Sequence, residues 1–160
     1  MNARREFAMT FLRRQTPLRA FVLLAALPLL VGCENRTASM MVDDRNHTVV
    51  LIREQPYFWR DTVEQSIVAS RLPACQRKVK IHPDRGAMTP IEVYEAGDLL
   101  WALRQGGRWY LASTGECRVQ DWDNAASQPP GPPVGRFEPR ADALVFTPAP
   151  KPQPVTPEKE

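Results

Sequence analysis

The 160-residue chain contains few of the residues that most often carry enzyme chemistry. It has two histidines, His47 and His82, and three cysteines, and no Cys-x-x-Cys pair occurs. It also lacks a glycine-rich phosphate loop and a Gly-x-Ser-x-Gly motif. The acidic stretch Asp121-Trp122-Asp123-Asn124 lacks the length and final glutamate of a calcium loop, and we predict a solvated turn there. We therefore expect neither a metal ion nor another cofactor.

The chain has no basic field once its first 32 residues are set aside. In total it has 21 Lys and Arg and 18 Asp and Glu. Five of the arginines and one glutamate lie in residues 1–32, so the remainder is close to neutral. Nucleic-acid binding domains usually carry a clear excess of positive charge. The composition therefore argues against a nucleic acid as partner.

The longest apolar run, residues 20–31, is too short for a comfortable membrane-spanning helix, which needs about 20 residues. Arginines precede this run, and Gly32 and Cys33 follow it. A positive front, a short apolar middle and a small residue at the exit are the parts of a secretory signal. The last four residues, Leu30-Val31-Gly32-Cys33, resemble the lipobox of bacterial lipoproteins.

This resemblance implies that residues 1–32 are a signal peptide, with Met1 or Met9 as the start. Cys33 then becomes the first residue of the mature protein and carries lipid on its sulfur and its amine. Glu34 follows Cys33. An aspartate at this position would imply retention in the inner membrane. Because the residue is a glutamate, the resemblance implies the periplasmic face of the outer membrane. The alternative is an ordinary cleaved signal or an uncleaved anchor, with Cys33 incidental.

The two remaining cysteines, Cys75 and Cys117, most simply form a disulfide in an oxidising, exported compartment. In the loop-entropy model, a bridge closing a loop of this length stabilises the fold by about 4 kcal/mol. A metal pair and a redox pair are the alternatives, but neither has the local spacing that such sites show.

Composition divides the chain into five segments. The proline-rich end excludes helix and interior strand near residues 128–133. We predict a signal peptide at 1–32, a polar tether at 33–46, a small domain at 47–123, a proline-rich extension with a short hairpin or edge segment at 124–146, and a disordered tail at 147–160.

Within the predicted domain, most segments have the composition and alternation of β-strands. The paired glycines Gly106-Gly107 predict a hairpin. For residues 62–72 we predict a helix, because Val63 and Ile67 recur at helical spacing, and a strand through 66–69 is the competing prediction. The predicted strands are 47–53, 78–82, 91–94, 99–104, 108–112 and 117–119. The expected fold class is α+β: an antiparallel meander of about four or five strands with one packed helix, clamped by the disulfide.

Aromatic residues on the meander supply the candidate binding surface. Successive residues of a strand point to opposite faces, and only one face packs on the predicted helix. Trp101 and Tyr110, flanked by Arg104 and Arg108, are therefore the predicted partner-binding residues. The alternative is that the proline-rich tail covers this second face.

Three short stretches, Leu72-Pro-Ala-Cys-Gln-Arg-Lys78, Trp109-Tyr110 and Gly115-Glu-Cys-Arg118, resemble the pattern of small uncharacterised lipoproteins of proteobacteria. The resemblance covers roughly residues 30–120 and implies no activity. We expect a lipid-anchored envelope protein with a structural or partner-binding role, no catalysis, and an envelope protein or peptidoglycan as partner.

Two alternatives stay open. One is a periplasmic inhibitor of a cell-wall-degrading enzyme. The other is an envelope hydrolase using His47 or His82, with Ser66, Ser70 or Ser113 as the nucleophile. Each histidine lies at the end of a predicted strand, where a surface position is the simpler interpretation.

Overall fold

The computed structural model describes residues 35–57 and 59–150, which form ten β-strands in two antiparallel sheets. No helix occurs within these ranges, and so none there is long and apolar enough to cross a membrane. The predicted α+β class is therefore wrong, and the domain is all-β. The strands are β1 Asn35–Met41, β2 His47–Glu54, β3 Thr62–Arg71, β4 Cys75–Arg85, β5 Ile91–Gly97, β6 Leu100–Gln105, β7 Arg108–Ser113, β8 Arg118–Trp122, β9 Pro133–Arg140 and β10 Ala143–Pro148.

The two sheets differ in how the chain connects their strands. In the first, the order β1-β2-β3-β4 follows the sequence. In the second, the order is β10-β9-β5-β6-β7-β8, so the segment between β8 and β9 passes β7, β6 and β5. The sheets also approach each other at both sides, where β1 lies near β10 and β4 lies near β8.

The core lies between the sheets, where each strand contributes alternate side chains. All four strands of the first sheet and all six strands of the second contribute buried apolar residues to it. Tyr110 and Phe137 are the largest apolar side chains that are almost completely buried. The central members of this core are Val49, Leu51, Ile67, Ala69, Ile91, Val93, Leu103, Tyr110, Ala112 and Phe137.

Strand β3 occupies the segment that was predicted to be a helix, so the competing prediction of a strand is the correct one. Val63 and Ile67 are four residues apart, which fits one helical turn but also two steps along one face of a strand. Between them lies Gln65, a polar residue that interrupts the apolar alternation yet is buried. Its side-chain amide donates to the carbonyl of His82 at 3.1 Å and to the side chain of Gln105 at 3.3 Å.

Two segments assigned outside the predicted domain belong to the sheets. Strand β1 occupies half of the predicted tether at 33–46, and its Ala38 and Met40 are buried. The hairpin predicted within 124–146 is formed by β9 and β10, and β9 also pairs with β5. The first two residues of the predicted tail, Thr147 and Pro148, end β10. The predicted signal peptide, Cys33, Glu34 and residues 151–160 lie outside the described residues.

The predicted disulfide is confirmed. Cys75 begins β4 and Cys117 directly precedes β8, with their Cα atoms 5.9 Å apart. The predicted clamp of a helix end to a sheet is wrong, because residues 62–71 form strand β3 and not a helix. The bridge instead joins the first sheet to the second sheet.

Candidate partner-binding groove

A groove of about 420 Å³ opens between the edge strands of the two sheets. Strand β4 lines one side of it, and β8 with the residues after it lines the other. Strand β7 and the hairpin before it complete the lining. The residues are Lys80, Ile81, His82, Gly107, Arg108, Trp109, Tyr110, Asp121, Trp122, Asp123 and Asn124.

The disulfide determines where the two edges stay close. Strands β4 and β8 both run away from the Cys75–Cys117 bridge, which holds their first residues together. The groove residues of β4 begin at Lys80, and those of β8 begin at Asp121. The groove therefore lies beyond the clamped end, toward the far ends of both strands.

The rim of the groove carries both signs of charge. Lys80 and Arg108 supply two exposed cations, and Asp121 and Asp123 supply two exposed anions. The Nζ of Lys80 donates to a carboxylate oxygen of Glu64 at 2.7 Å, and this hydrogen bond raises the pKa of Lys80. Among the described residues, no cluster of His, Cys, Asp or Glu has the arrangement of a metal site. The groove is suited to a partner that also carries both signs of charge.

Aromatic rings form the apolar part of the lining. Trp109 packs edge to face against Trp122, with 5.7 Å between ring centroids, and Trp122 stays partly exposed. Tyr110 is only 2% exposed, and its hydroxyl accepts a hydrogen bond from the backbone N–H of His82 at 3.3 Å. Burial raises the pKa of Tyr110. Tyr110 thus ties β7 to β4, and Trp122 is the ring that a partner can reach.

The four predicted partner-binding residues do not form one surface. Arg108 and Tyr110 both line the groove, although the exposure expected for Tyr110 is wrong. Trp101 is partly buried against the core, and its buried indole N–H has no hydrogen-bond partner among the described residues. Arg104 lies on the outer face of the second sheet, where its guanidinium stands 5.8 Å from the ring centroid of Tyr94 and its Nε donates to Glu92.

The sequence interpretation missed the residues that line the β8 side of the groove. Residues 121–124 were predicted to be a solvated turn, but Asp121 and Trp122 are the last two residues of β8. The sequence carried little local signal for this extension, because Val119 and Trp122 are three residues apart and the two polar residues between them break the alternation of a strand.

His47 takes part in an arrangement that resembles a hydrolytic triad. Its Nδ1 lies 3.0 Å from a carboxylate oxygen of Asp43, and its Nε2 lies 2.7 Å from the hydroxyl of Thr114. The nucleophile position is occupied by a threonine, and not by any of the three serines considered from the sequence. Thr114 is completely buried, so a substrate cannot approach its hydroxyl. The arrangement therefore acts as a hydrogen-bonded link between the two sheets.

A second, smaller cavity of about 220 Å³ is lined by Arg36, Arg53, Met88 and Leu144, among others. Arg53 is almost completely buried, and its guanidinium donates to Asp84 at 3.1 Å and to Gln65 at 3.4 Å. A buried charge needs such a partner, since an unpaired one would cost several kcal/mol. Because Asp84 balances its charge, we assign Arg53 a structural role.

Comparison with known proteins gives no match: no family model, no curated protein and no solved structure is similar to this chain.

Proposed function

We propose that this chain is a lipid-anchored protein of the bacterial cell envelope that binds a partner without catalysis. The groove between β4 and β8 receives an extended polypeptide segment of that partner. The observation that carries the proposal is the position of the groove between the two edge strands, with an accessible tryptophan and both signs of charge on its rim.

Edge strands favour an extended polypeptide as the occupant. The outer edge of such a strand presents backbone N–H and C=O groups that no neighbouring strand of its sheet satisfies. An extended segment can add to an edge by main-chain hydrogen bonds, while pockets on alternate side chains give specificity. Here two edges, β4 and β8, flank the same groove. On β4 the backbone of His82 is already bonded, its N–H to the Tyr110 hydroxyl and its C=O to the Gln65 amide, so addition to β4 uses its other residues.

The side chains of the rim add selectivity. Lys80 and Arg108 attract carboxylates, and Asp121 and Asp123 attract basic side chains. Paired charges of this kind guide orientation and suppress wrong partners more than they add affinity. Trp122 supplies the aromatic anchor, because tryptophan is among the residues that most often dominate binding energy at interfaces.

The proposed location rests on the lipobox-like motif that ends at Cys33, with the outer membrane favoured by Glu34. The Cys75–Cys117 disulfide supports an exported location, because such bonds persist in oxidising compartments. The burial of Thr114 supports the proposal that the protein is not an enzyme, because a substrate cannot reach the hydroxyl beside His47.

Site-specific photo-crosslinking in intact cells tests the proposal. A photoreactive residue replaces Asp123 in the groove, and the matched control replaces exposed Asp142 in the β9–β10 turn. We expect a covalent adduct from position 123, none from position 142, and a weaker adduct when Trp122→Ala is combined with the probe. The size of the adduct should be unchanged by muramidase. An adduct that muramidase shortens would show a glycan partner, and equal adducts at both positions would refute a groove-specific interaction.

A further inference from the structure

The loop between β2 and β3, residues 55–61, presents aromatic rings to solvent at one end of the first sheet. Tyr57 is 44% exposed and Trp59 is 66% exposed. Their rings stack, with 5.0 Å between centroids, and the guanidinium of Arg60 stands 5.2 Å from the ring centroid of Tyr57. Phe58, which separates these two residues in the sequence, lies outside the described residues. Adjacent aromatic side chains with this exposure indicate a contact surface.

Hydrogen bonds hold the loop in a defined shape. The backbone N–H of Arg60 donates to the carbonyl of Tyr57 at 3.1 Å, and the side-chain amide of Gln55 donates to the carbonyl of Arg60. The carbonyl of Asp61 accepts a hydrogen bond from the N–H of Gly86 at 3.0 Å, which ties the loop to the end of β4. Because the rings are already positioned, less conformational entropy is lost when they meet a partner.

The strand register places this loop beside the start of the mature chain. Asn35, the first residue of β1, pairs with Glu54, the last residue of β2. Cys33 precedes Asn35 by two residues, so its Cα lies within about 8 Å of the Cα of Asn35, whatever path the chain takes. The cysteine of the lipobox-like motif and the aromatic loop therefore belong to the same end of the first sheet.

We propose that Tyr57 and Trp59 form a membrane foot, which rests in the headgroup region of the bilayer that holds the Cys33 lipid. This inference depends on the lipid anchor in the proposed function. Tyrosine and tryptophan are enriched at membrane interfaces, where an apolar ring with a polar edge fits the headgroup level. Arg60 stands next to Asp61, so the two charges largely cancel and burial of the rings supplies most of the affinity.

A bilayer fits this loop better than a protein partner does. Only Glu34 separates Cys33 from the first residue of β1, so this end of the domain cannot stand far from a lipid attached at Cys33. The foot would also orient the domain. The disulfide end of β3, where Arg71 pairs with Cys75, would stand up to about 30 Å farther from the bilayer than the Thr62 end, since a strand rises about 3.3 Å per residue.

Tryptophan quenching in reconstituted vesicles tests the foot. Full-length processed protein is reconstituted into phosphatidylethanolamine–phosphatidylglycerol vesicles that carry a nitroxide near the headgroup end of an acyl chain. We expect the nitroxide lipid to quench part of the wild-type emission, and this quenching to disappear in Trp59→Phe. The control Trp122→Phe also removes one indole and should keep the quenching. The mass of the N-terminal peptide reports separately on lipid at Cys33.

The outcomes separate the two proposals. Lipid on Cys33 with no quenching of Trp59 overturns the foot and leaves the anchor in place. Absence of lipid refutes the anchor, and the foot then stands or falls on the quenching of Trp59 alone. Quenching that persists in Trp59→Phe assigns the lipid contact to another tryptophan and also overturns the foot. Emission that changes with protein concentration, and not with nitroxide lipid, would show a second copy on these rings and contradict a membrane contact.

Discussion

The Nε2 atom of His47 lies 2.7 Å from the hydroxyl oxygen of Thr114, and this contact links the first sheet to the second sheet. His47 begins β2, and Thr114 directly follows β7. Both residues are buried, so the hydrogen bond between the imidazole and the hydroxyl replaces hydrogen bonds that each group would otherwise make to water. Together with the nearby disulfide at Cys117, the pair fixes the end of the domain that is remote from the groove.

Thr114→Val should lower the free energy of unfolding by about 1–3 kcal/mol, because it leaves the imidazole of His47 buried without its partner. Thr114→Ser keeps the hydroxyl and should retain most of the stability. Denaturant unfolding of the two variants measures the difference. Equal stability of the valine and serine variants would contradict the link between the sheets.

Replacing both cysteines, in Cys75→Ser/Cys117→Ser, should lower the free energy of unfolding by up to about 4 kcal/mol, because the unfolded chain regains loop entropy. The single variants are avoided since each leaves a reactive thiol. The measurement is denaturant unfolding of the oxidised wild type, the reduced wild type and the double variant. We expect the last two to agree; if reductant leaves the wild-type midpoint unchanged while the bond is broken, the bridge does not stabilise the fold.

Gly135→Ala should destabilise the domain, because a Cβ atom there would stand 2.5 Å from both the ring of Phe146 and the carbonyl oxygen of Thr147. Relief of such contacts requires β9 and β10 to shift, at a typical cost of about 1–3 kcal/mol. Gly107→Ala is the matched control, since a Cβ atom at that position meets nothing within 4 Å. A thermal melt of each variant makes the comparison, and equal melting temperatures would speak against close packing of the β9–β10 hairpin.

Alkaline pH should destabilise the domain partly through Tyr110, whose pKa burial raises. The unfolded chain releases the phenol proton near pH 10, at about its ordinary pKa, while the folded protein still holds it. Above that pH the unfolded state binds fewer protons than the folded state, so the free energy of unfolding falls as pH rises. Tyr110→Phe should flatten this fall, although it also removes the acceptor for the N–H of His82 and lowers stability at neutral pH.

The measurement for Tyr110 is the slope of unfolding free energy against pH between neutral and strongly alkaline conditions. The variant Tyr94→Phe is a useful comparison, because burial also raises the pKa of Tyr94. Identical slopes for the wild type and Tyr110→Phe would show that Tyr110 ionises alike in the folded and unfolded states.

The sequence predicted the strands whose signal is local. Residues 47–53 and 108–112 are rich in β-branched or aromatic residues, and the structure has β2 and β7 there. The hairpin at Gly106-Gly107 was predictable for the same reason, as Gln105 pairs with Arg108 across it. The disulfide followed from counting cysteines in a compartment inferred to be oxidising.

The rest of the fold and the groove could not be predicted, because they depend on contacts between distant parts of the chain. Gln65 interrupts the apolar alternation of β3, and only the later residues His82 and Gln105 make its burial acceptable. Strand β1 has few apolar residues and is recognisable only by its pairing with β2. The groove was not predictable, since its two sides come from strands that become neighbours only when the sheets pack together.

The most direct test of the groove is amide hydrogen exchange on the full-length protein, alone and in the complex captured through position 123. We expect slower exchange in the complex for the edge strands that flank the groove, β8 and residues 80–82 of β4. The opposite edge of the second sheet, β10, should exchange at the same rate in both states. Slower exchange confined to β10, or no change in β8 and β4, would contradict the claim that the partner binds between these two edges.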